Sequence, residues 1–112
     1  MATNASYPSG HAMIGWAWAL VLSELAPDRT NALLQSGREF AQSRVICGVH
    51  NASAIEAGRM NASIVVAALH GDATFRADLD AAREEMAANV AAGGTDAAVC
   101  SHEAALIAKT PW

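Results

Sequence analysis

The chain has 112 residues, which corresponds to one domain or a piece of one. Hydrophobic residues make up 53% of it and charged residues 16%, with a formal net charge of -4, which argues against a nucleic-acid surface built on clustered basic residues. The longest apolar run, 12–22, is much shorter than the roughly 20 residues that a bilayer-spanning helix needs. We therefore predict one domain with no membrane span.

The first two predicted helices contain the basic and apolar features that matter most. Residues 11–26 are apolar on all sides, which is typical of a helix at the centre of a domain. In the second predicted helix, 27–47, Arg44 lies on the apolar stripe, and a buried arginine needs a counter-ion or an anionic ligand. Gly48 then interrupts the helix and can turn His50 back toward Arg44.

The remaining sequence also has helical periodicity. A third helix is predicted over 51–70, and a fourth begins at Asp72 as N-cap and ends at the two glycines 93–94. A short helix is predicted around 96–108. Because no segment shows the period-two alternation of a β-strand, we predict an all-α fold, a helical bundle.

Two short motifs contain the candidate functional residues. Ser9 and Gly10 place backbone amides at the positive end of the first helix, where an anion is stabilised, and His11 follows in the first turn. Arg44 and His50 would add a fixed cation and a second imidazole. Together the motifs indicate a phosphate-handling site. Taken singly, they are also typical of a helix cap, a surface ion pair and a helix-terminal histidine.

The stretches 7–11, Tyr-Pro-Ser-Gly-His, and 43–50, Ser-Arg-Val-Ile-Cys-Gly-Val-His, carry a family resemblance at this spacing. They resemble bacterial class A non-specific acid phosphatases of the type 2 phosphatidic acid phosphatase superfamily, which also holds vanadium haloperoxidases. The similarity extends from about residue 6 to about residue 88. It implies the C-terminal part of that fold, with a helical core over 1–93 whose upstream half is missing and a tail over 94–112.

The resemblance also implies roles for the site residues. His50 would be the nucleophile that forms a phosphohistidine, and His11 the general acid that protonates the leaving alcohol. Ser9, Gly10 and Arg44 would bind the phosphoryl oxygens. The ligand would be a small phosphomonoester or inorganic phosphate, with no cofactor, metal or nucleic acid. The location would be periplasmic or secreted, although this chain shows no signal peptide, and homo-oligomer formation stays open.

The sequence departs from the family pattern at two places. The Lys-x6-Arg-Pro arrangement expected upstream of Pro8 has no match, and Ala54 stands where the family carries an aspartate that orients the nucleophile. Loss of the carboxylate from a His–carboxylate pair can cost up to about 10⁴ in rate. We therefore expect a truncated member with weak or absent turnover. The alternatives are a degenerate protein that binds phosphate or vanadate, and a vanadium-dependent haloperoxidase.

Cysteines and tryptophans give two further expectations. Cys47 and Cys100 either form one disulfide or remain two thiols, and two cysteines alone do not decide between these states. Trp16 and Trp18, within the first predicted helix, are expected in the core.

Overall fold

The computed structural model of the chain describes residues 6–93 and 96–108, and every regular element within these ranges is helical. The predicted all-α fold is therefore confirmed. The elements in chain order are α1 (Gly10–Leu25), a 3-10 turn (Pro27–Arg29), α2 (Thr30–Ile46), α3 (Ala52–Leu69), α4 (Ala73–Ala91) and α5 (Ala97–Ile107).

Side-chain caps fix where three of these helices begin. Ser9, Asn51 and Asp72 each accept a hydrogen bond from the backbone amide three residues later, at 3.1, 2.9 and 2.9 Å. Each bond satisfies one of the amides that lack a partner in a first helical turn. The predicted N-cap at Asp72 is confirmed. The second predicted helix differs in its first turn, Pro27–Arg29, which is a 3-10 turn.

Helix α1 lies between α2 and α3 and contacts both along its length. It runs in the same direction as α3, because Ser9 bonds to Ala54 at one end and Glu24 bonds to His70 at the other. Helix α2 returns along α1 in the opposite direction. This arrangement brings the start of α1, the end of α2 and the start of α3 to the same end of the bundle.

Small residues allow the three helices to approach closely. The buried residues Ala12, Ala41 and Ile55, one from each helix, meet in the core. A Cβ atom at Gly37 would lie 2.7 Å from a side-chain carbon of α1, and one at Gly58 would overlap the backbone that opens α1. The helix contacts therefore depend on the absence of side chains at these two glycines.

Helix α1 is central but is not buried all round, which corrects the sequence-based expectation. Ile14 and Trp18 are 58% and 62% exposed, so the prediction of Trp18 as a core residue is wrong. Trp16 is half-buried and donates to the hydroxyl of Ser63 at 3.0 Å. The radius of gyration is 16.3 Å, against about 13 Å expected for a compact domain of this length. The molecule extends over 53 × 40 × 22 Å, and within the described residues one side of α1, with Ile14 and Trp18, is not covered by another helix.

Helix α4 packs on α1 through the apolar stripe that its sequence predicts. Leu79 is buried, and Phe75 and Met86 are half-buried. Val90, the last member of the predicted stripe, is 72% exposed. Met86 lies beside Leu22 of α1, and the last turn of α4, with Val90, is exposed.

The end of the described chain carries α5, which confirms the short helix predicted around 96–108. Cys47 and Cys100 are exposed thiols with no disulfide between them. The predicted tail, 94–112, lies partly outside the described residues. Among the helices that the structure describes, none is both long and apolar enough to cross a membrane.

Candidate active site

The connection between α2 and α3 places His50 at the end of the bundle. Gly48 has a φ of +73°, a left-handed conformation that glycine adopts without steric cost, and it ends the run of helix. The amides of Val49 and His50 then both donate to the carbonyl oxygen of Arg44, at 3.1 and 3.2 Å. The predicted break at Gly48 is therefore confirmed, and it folds His50 back onto the end of α2.

The start of α1 places the second histidine. Ser9 is completely buried, its hydroxyl caps α1, and its amide donates to the carbonyl oxygen of Ala54 at 2.9 Å. This bond ties the start of α1 to α3 and orients His11 toward the α2–α3 connection. It also corrects one expectation: the amide of Ser9 is engaged within the protein, so the first-turn amides of Gly10 and His11 are the ones that remain for an anion.

The two histidines meet directly. Nδ1 of His11 and Nε2 of His50 are 3.2 Å apart, within hydrogen-bond distance. Their ring centroids are 5.4 Å apart and the ring planes are inclined by 63°, so the two nitrogens point at each other. His11 is exposed and His50 half-buried, and a Cβ atom at the neighbouring Gly10 would meet nothing within 4 Å. The pair therefore lies beside open space at a helix N-terminus.

The other ring nitrogen of His50 has a partner that sequence reasoning missed. Nδ1 lies 2.9 Å from the main-chain carbonyl oxygen of Ser6 and 3.3 Å from its hydroxyl oxygen. Because every residue has a main-chain carbonyl, the sequence does not show which one will accept this hydrogen bond. The only available signal is the position of Ser6, two residues before Pro8 of the Pro-Ser-Gly-His motif.

Arg44 is half-buried at the end of α2, and the side chains around it hold its guanidinium. Nε and Nη2 donate to the hydroxyl of Ser43 at 3.0 and 2.9 Å, and the group lies over the ring of Phe40 with 5.2 Å to the centroid. No carboxylate of the described residues forms an ion pair with it. Its guanidinium is not hydrogen-bonded to either histidine. The structure therefore presents Arg44 as a fixed cation without a counter-ion from the described chain.

Ala54 lies in the first turn of α3 and is completely buried. Its methyl group brings no charge to His50, as the sequence indicates. The described part of the chain contains no group of three or more histidine, cysteine, aspartate or glutamate side chains that could hold a metal ion.

A helical bundle with paired histidines at one end can be compared with known families. Residues 2–76 match the PAP2 superfamily. The match covers more than half of the sequence, and the chain belongs to this superfamily. The expected resemblance to bacterial non-specific acid phosphatases is confirmed as well.

Three relatives illustrate the resemblance. The chain is 52% identical over 83 residues to an acid phosphatase of Zymomonas mobilis subsp. mobilis. It is 49% identical over 87 residues to a non-specific acid phosphatase of Providencia stuartii and 47% identical over 83 residues to one of Salmonella typhimurium. The aligned segments cover 74%, 78% and 74% of this chain but 31%, 35% and 33% of the relatives. The chain therefore spans about a third of their length.

Proposed function

We propose that this chain carries the nucleophile and the general acid of a phosphomonoester hydrolase, with weak or absent turnover by the chain alone. The observation that supports the proposal most strongly is the 3.2 Å contact between His11 and His50 beside the exposed first turn of α1. The names of the relatives, acid phosphatases, give the same reaction class. A small phosphomonoester is the proposed substrate and inorganic phosphate the product.

The chemistry needs only these two imidazoles and water. The lone pair on Nε2 of His50 attacks phosphorus, and the P–O ester bond breaks as the N–P bond forms. The leaving oxygen takes a proton from His11, so it departs as a neutral alcohol. Water then attacks the phosphohistidine, His11 accepts the proton of that water, and phosphate leaves. Each histidine returns to its starting state.

Fewer groups are available to bind the anion than the sequence suggests, because the amide of Ser9 is already hydrogen-bonded to Ala54. We assign the first-turn amides of Gly10 and His11 and the guanidinium of Arg44 to the phosphoryl oxygens. Backbone amides at a helix N-terminus and a fixed guanidinium stabilise the charge of a transferring phosphoryl group. Ser9 acts by holding the start of α1 in place rather than by contact through its own amide.

One sequence feature supports the proposal of weak turnover: Ala54 leaves His50 without a carboxylate. By resemblance we also propose a periplasmic or secreted location. A homo-oligomer remains a proposal, as does the division into a core over 1–93 and a tail over 94–112.

Hydrolysis of p-nitrophenyl phosphate at acidic pH tests this function. We expect slow release of nitrophenol that His50→Ala abolishes, because no other group in the proposal can form the covalent intermediate. His102→Ala is the matched control, since His102 is an exposed histidine on α5, and it should leave the rate unchanged. Hydrolysis that persists undiminished in His50→Ala would contradict the assignment of the nucleophile.

A second candidate function, oxyanion binding without turnover, is favoured by the uncharged, buried Ala54. In that case phosphate or vanadate would bind to Arg44 and the first turn of α1 while phosphoesters remain intact. Calorimetric titration with inorganic phosphate, combined with the hydrolysis assay, separates the two functions. Binding that Arg44→Ala weakens, with no release of nitrophenol, would support the binding protein.

A further inference from the structure

We propose that the main-chain carbonyl of Ser6 is the positioning group for His50, in place of the carboxylate that Ala54 cannot supply. It holds the proton of neutral His50 on Nδ1 and leaves Nε2 unprotonated for attack. The inference rests on the proposed function, because it concerns the same nucleophile. It assigns the orienting role to a backbone atom of the segment that precedes α1.

The direction of the hydrogen bond follows from the chemistry of its two atoms. A carbonyl oxygen has lone pairs and no proton, so it can only accept. Nδ1 of His50, 2.9 Å away, must therefore be the donor and must carry the proton. A neutral imidazole has one N–H, so Nε2 of His50 is then the nitrogen with the free lone pair.

The contact with His11 also assigns the proton of that second ring. Nε2 of His50 can only accept in its neutral form, so Nδ1 of His11, 3.2 Å away, must donate to it. The carbonyl of Ser6 thus determines the proton positions on both rings. The nucleophilic lone pair and the proton of the general acid face the same point, which is where a phosphoryl group with its leaving oxygen has to enter.

A second contact keeps the carbonyl in place. The hydroxyl of Ser6 donates to the carbonyl oxygen of Val49 at 3.4 Å, which ties the segment before α1 to the residue next to His50. The hydroxyl oxygen also lies 3.3 Å from Nδ1 of His50. The two oxygen atoms of Ser6 therefore both face the protonated nitrogen.

A carbonyl does only part of what a carboxylate does. Both fix the tautomer and the orientation of the ring by accepting from Nδ1. A carboxylate adds a full negative charge that stabilises the positive imidazole, whereas a carbonyl adds only a dipole. The site would therefore have the correct proton arrangement with less stabilisation of the phosphohistidine, which predicts slow turnover from a correctly oriented nucleophile.

Nitrogen NMR of the full chain with labelled histidines tests the inference directly. Two-bond proton–nitrogen correlation spectra distinguish protonated from unprotonated ring nitrogens, and loss of signals in His50→Gln assigns the ring. At a pH where His50 is neutral, we expect a protonated Nδ1 and an unprotonated Nε2. Ser6→Ala keeps the carbonyl and removes the hydroxyl, and His11→Ala removes the other ring, so both should retain this pattern.

The possible NMR results test the role of the Ser6 carbonyl separately from the proposed hydrolysis. A proton on Nε2 of His50 in the unaltered chain would overturn the inference. A switch of tautomer in His11→Ala would do the same, because His11 and not the carbonyl would then be fixing it. A change of the His50 tautomer in Ser6→Ala would show that the hydroxyl, and not the carbonyl, fixes the proton on Nδ1. That result would also contradict the proposal. The NMR result is independent of turnover, so an inactive chain with the expected tautomer would count against hydrolysis only.

Discussion

At the scale of single residues, the contact between His11 and His50 limits how a ligand could enter the proposed site. The two nitrogens are 3.2 Å apart, which leaves no room for a phosphoryl group between them. Under the proposed function, an oxyanion has to separate the rings and replace their mutual hydrogen bond with bonds to its own oxygens. Binding of inorganic phosphate should therefore shift the ring signals of both histidines together.

Arg44 gives the first prediction at this scale. Arg44→Lys keeps the charge but loses the planar fork that bonds to Ser43 and stacks on Phe40, so the cation is no longer held in place. We expect phosphate affinity to fall roughly tenfold, since a hydrogen bond to a charged group contributes about 1.5–3 kcal/mol. Isothermal titration with phosphate measures the change.

The same helix offers a matched control for that experiment. Arg38 is exposed on α2, and Arg38→Lys should leave phosphate affinity within the error of the measurement. Equal losses in the two variants would mean that the anion responds to the general charge of α2. They would remove Arg44 from the proposed binding site.

Ala54 gives the second prediction. If the Ser6 carbonyl orients His50 as proposed, Ala54→Asp can add only the charge of a carboxylate, so turnover should rise, but by less than the about 10⁴ that a complete His–carboxylate pair can supply. Ala54 is completely buried, so the unfolding midpoint of the variant must be measured alongside its rate. A gain that approaches about 10⁴ in a folded variant would show that the orientation of His50 was missing as well as the charge.

The side chains of the proposed site could be predicted from the sequence, whereas its backbone contacts could not. The sequence singles out His11, Arg44 and His50 because imidazole and guanidinium groups suit the proposed chemistry. The break at Gly48, which folds His50 back onto the end of α2, is also visible in the sequence. The engagement of the Ser9 amide with Ala54 depends on how α1 docks on α3, which spacing along the chain does not reveal. The carbonyl of Ser6 was not predictable, since every residue has one.

At the scale of elements, the docking of α1 on α3 holds the site together. Gly58 faces the backbone that opens α1, and a Cβ atom there would overlap the carbonyl oxygen of Ser9. A side chain at this position would push the start of α1 away from α3. Because His11 lies on that first turn, the distance between the two histidines depends on a glycine on another helix.

Gly58→Ala is the third prediction. The overlap is with backbone rather than with a flexible side chain, so we expect a loss of about 1–3 kcal/mol in the free energy of unfolding. Gly10→Ala is the matched control, because a Cβ atom there meets nothing within 4 Å and stability should change little. Urea unfolding of both variants measures the difference. Equal stability of the two would contradict the close docking of α1 on α3.

Helix existence could be predicted from periodicity, whereas burial could not. The caps at Asn51 and Asp72 and the stripe of α4 fix local structure through neighbours in sequence. The all-round apolar pattern of α1 predicts Trp18 in the core, but burial depends on which elements lie beside a helix. Helices α2 and α3 cover only part of α1, and Trp18 lies outside that part.

At the scale of the whole molecule, a charged cluster joins three helices at the end opposite the site. Glu24 of α1 bonds to Nε2 of His70, which follows α3, at 2.9 Å and lies 3.9 Å from Arg83 of α4. Nδ1 of His70 lies 2.7 Å from the carbonyl oxygen of Val66, and Arg76 donates to the carbonyl of His70. Both ring nitrogens of His70 thus face acceptors, which favours the charged imidazole.

The fourth prediction follows from this cluster. The hydrogen bond with Glu24, and next the one with Val66, raise the pKa of His70 above its usual 6.5, while Arg76 opposes the shift. A raised folded pKa means that the stabilisation is complete below pH 6.5 and is lost as pH rises through the folded value. The temperature at the midpoint of thermal unfolding should therefore decrease as the pH is raised from 6 to 8.

Glu24→Gln tests the origin of that pH dependence. The amide keeps the shape of the side chain but removes its charge, so the fall in midpoint over the same pH range should become smaller. Arg83 would lose its ion pair in both pH conditions, which cancels in the comparison. An unchanged pH dependence in Glu24→Gln would show that His70 is not responsible.

The central claim for the molecule as a whole is that His50 carries a phosphoryl group during hydrolysis. The most direct measurement is mass spectrometry of the full chain after reaction with p-nitrophenyl phosphate and quenching in alkali, where phosphohistidine survives. We expect one phosphoryl group, lost on acidification, on the peptide that contains His50. Turnover without that adduct, or an adduct that persists in His50→Ala, would contradict the account.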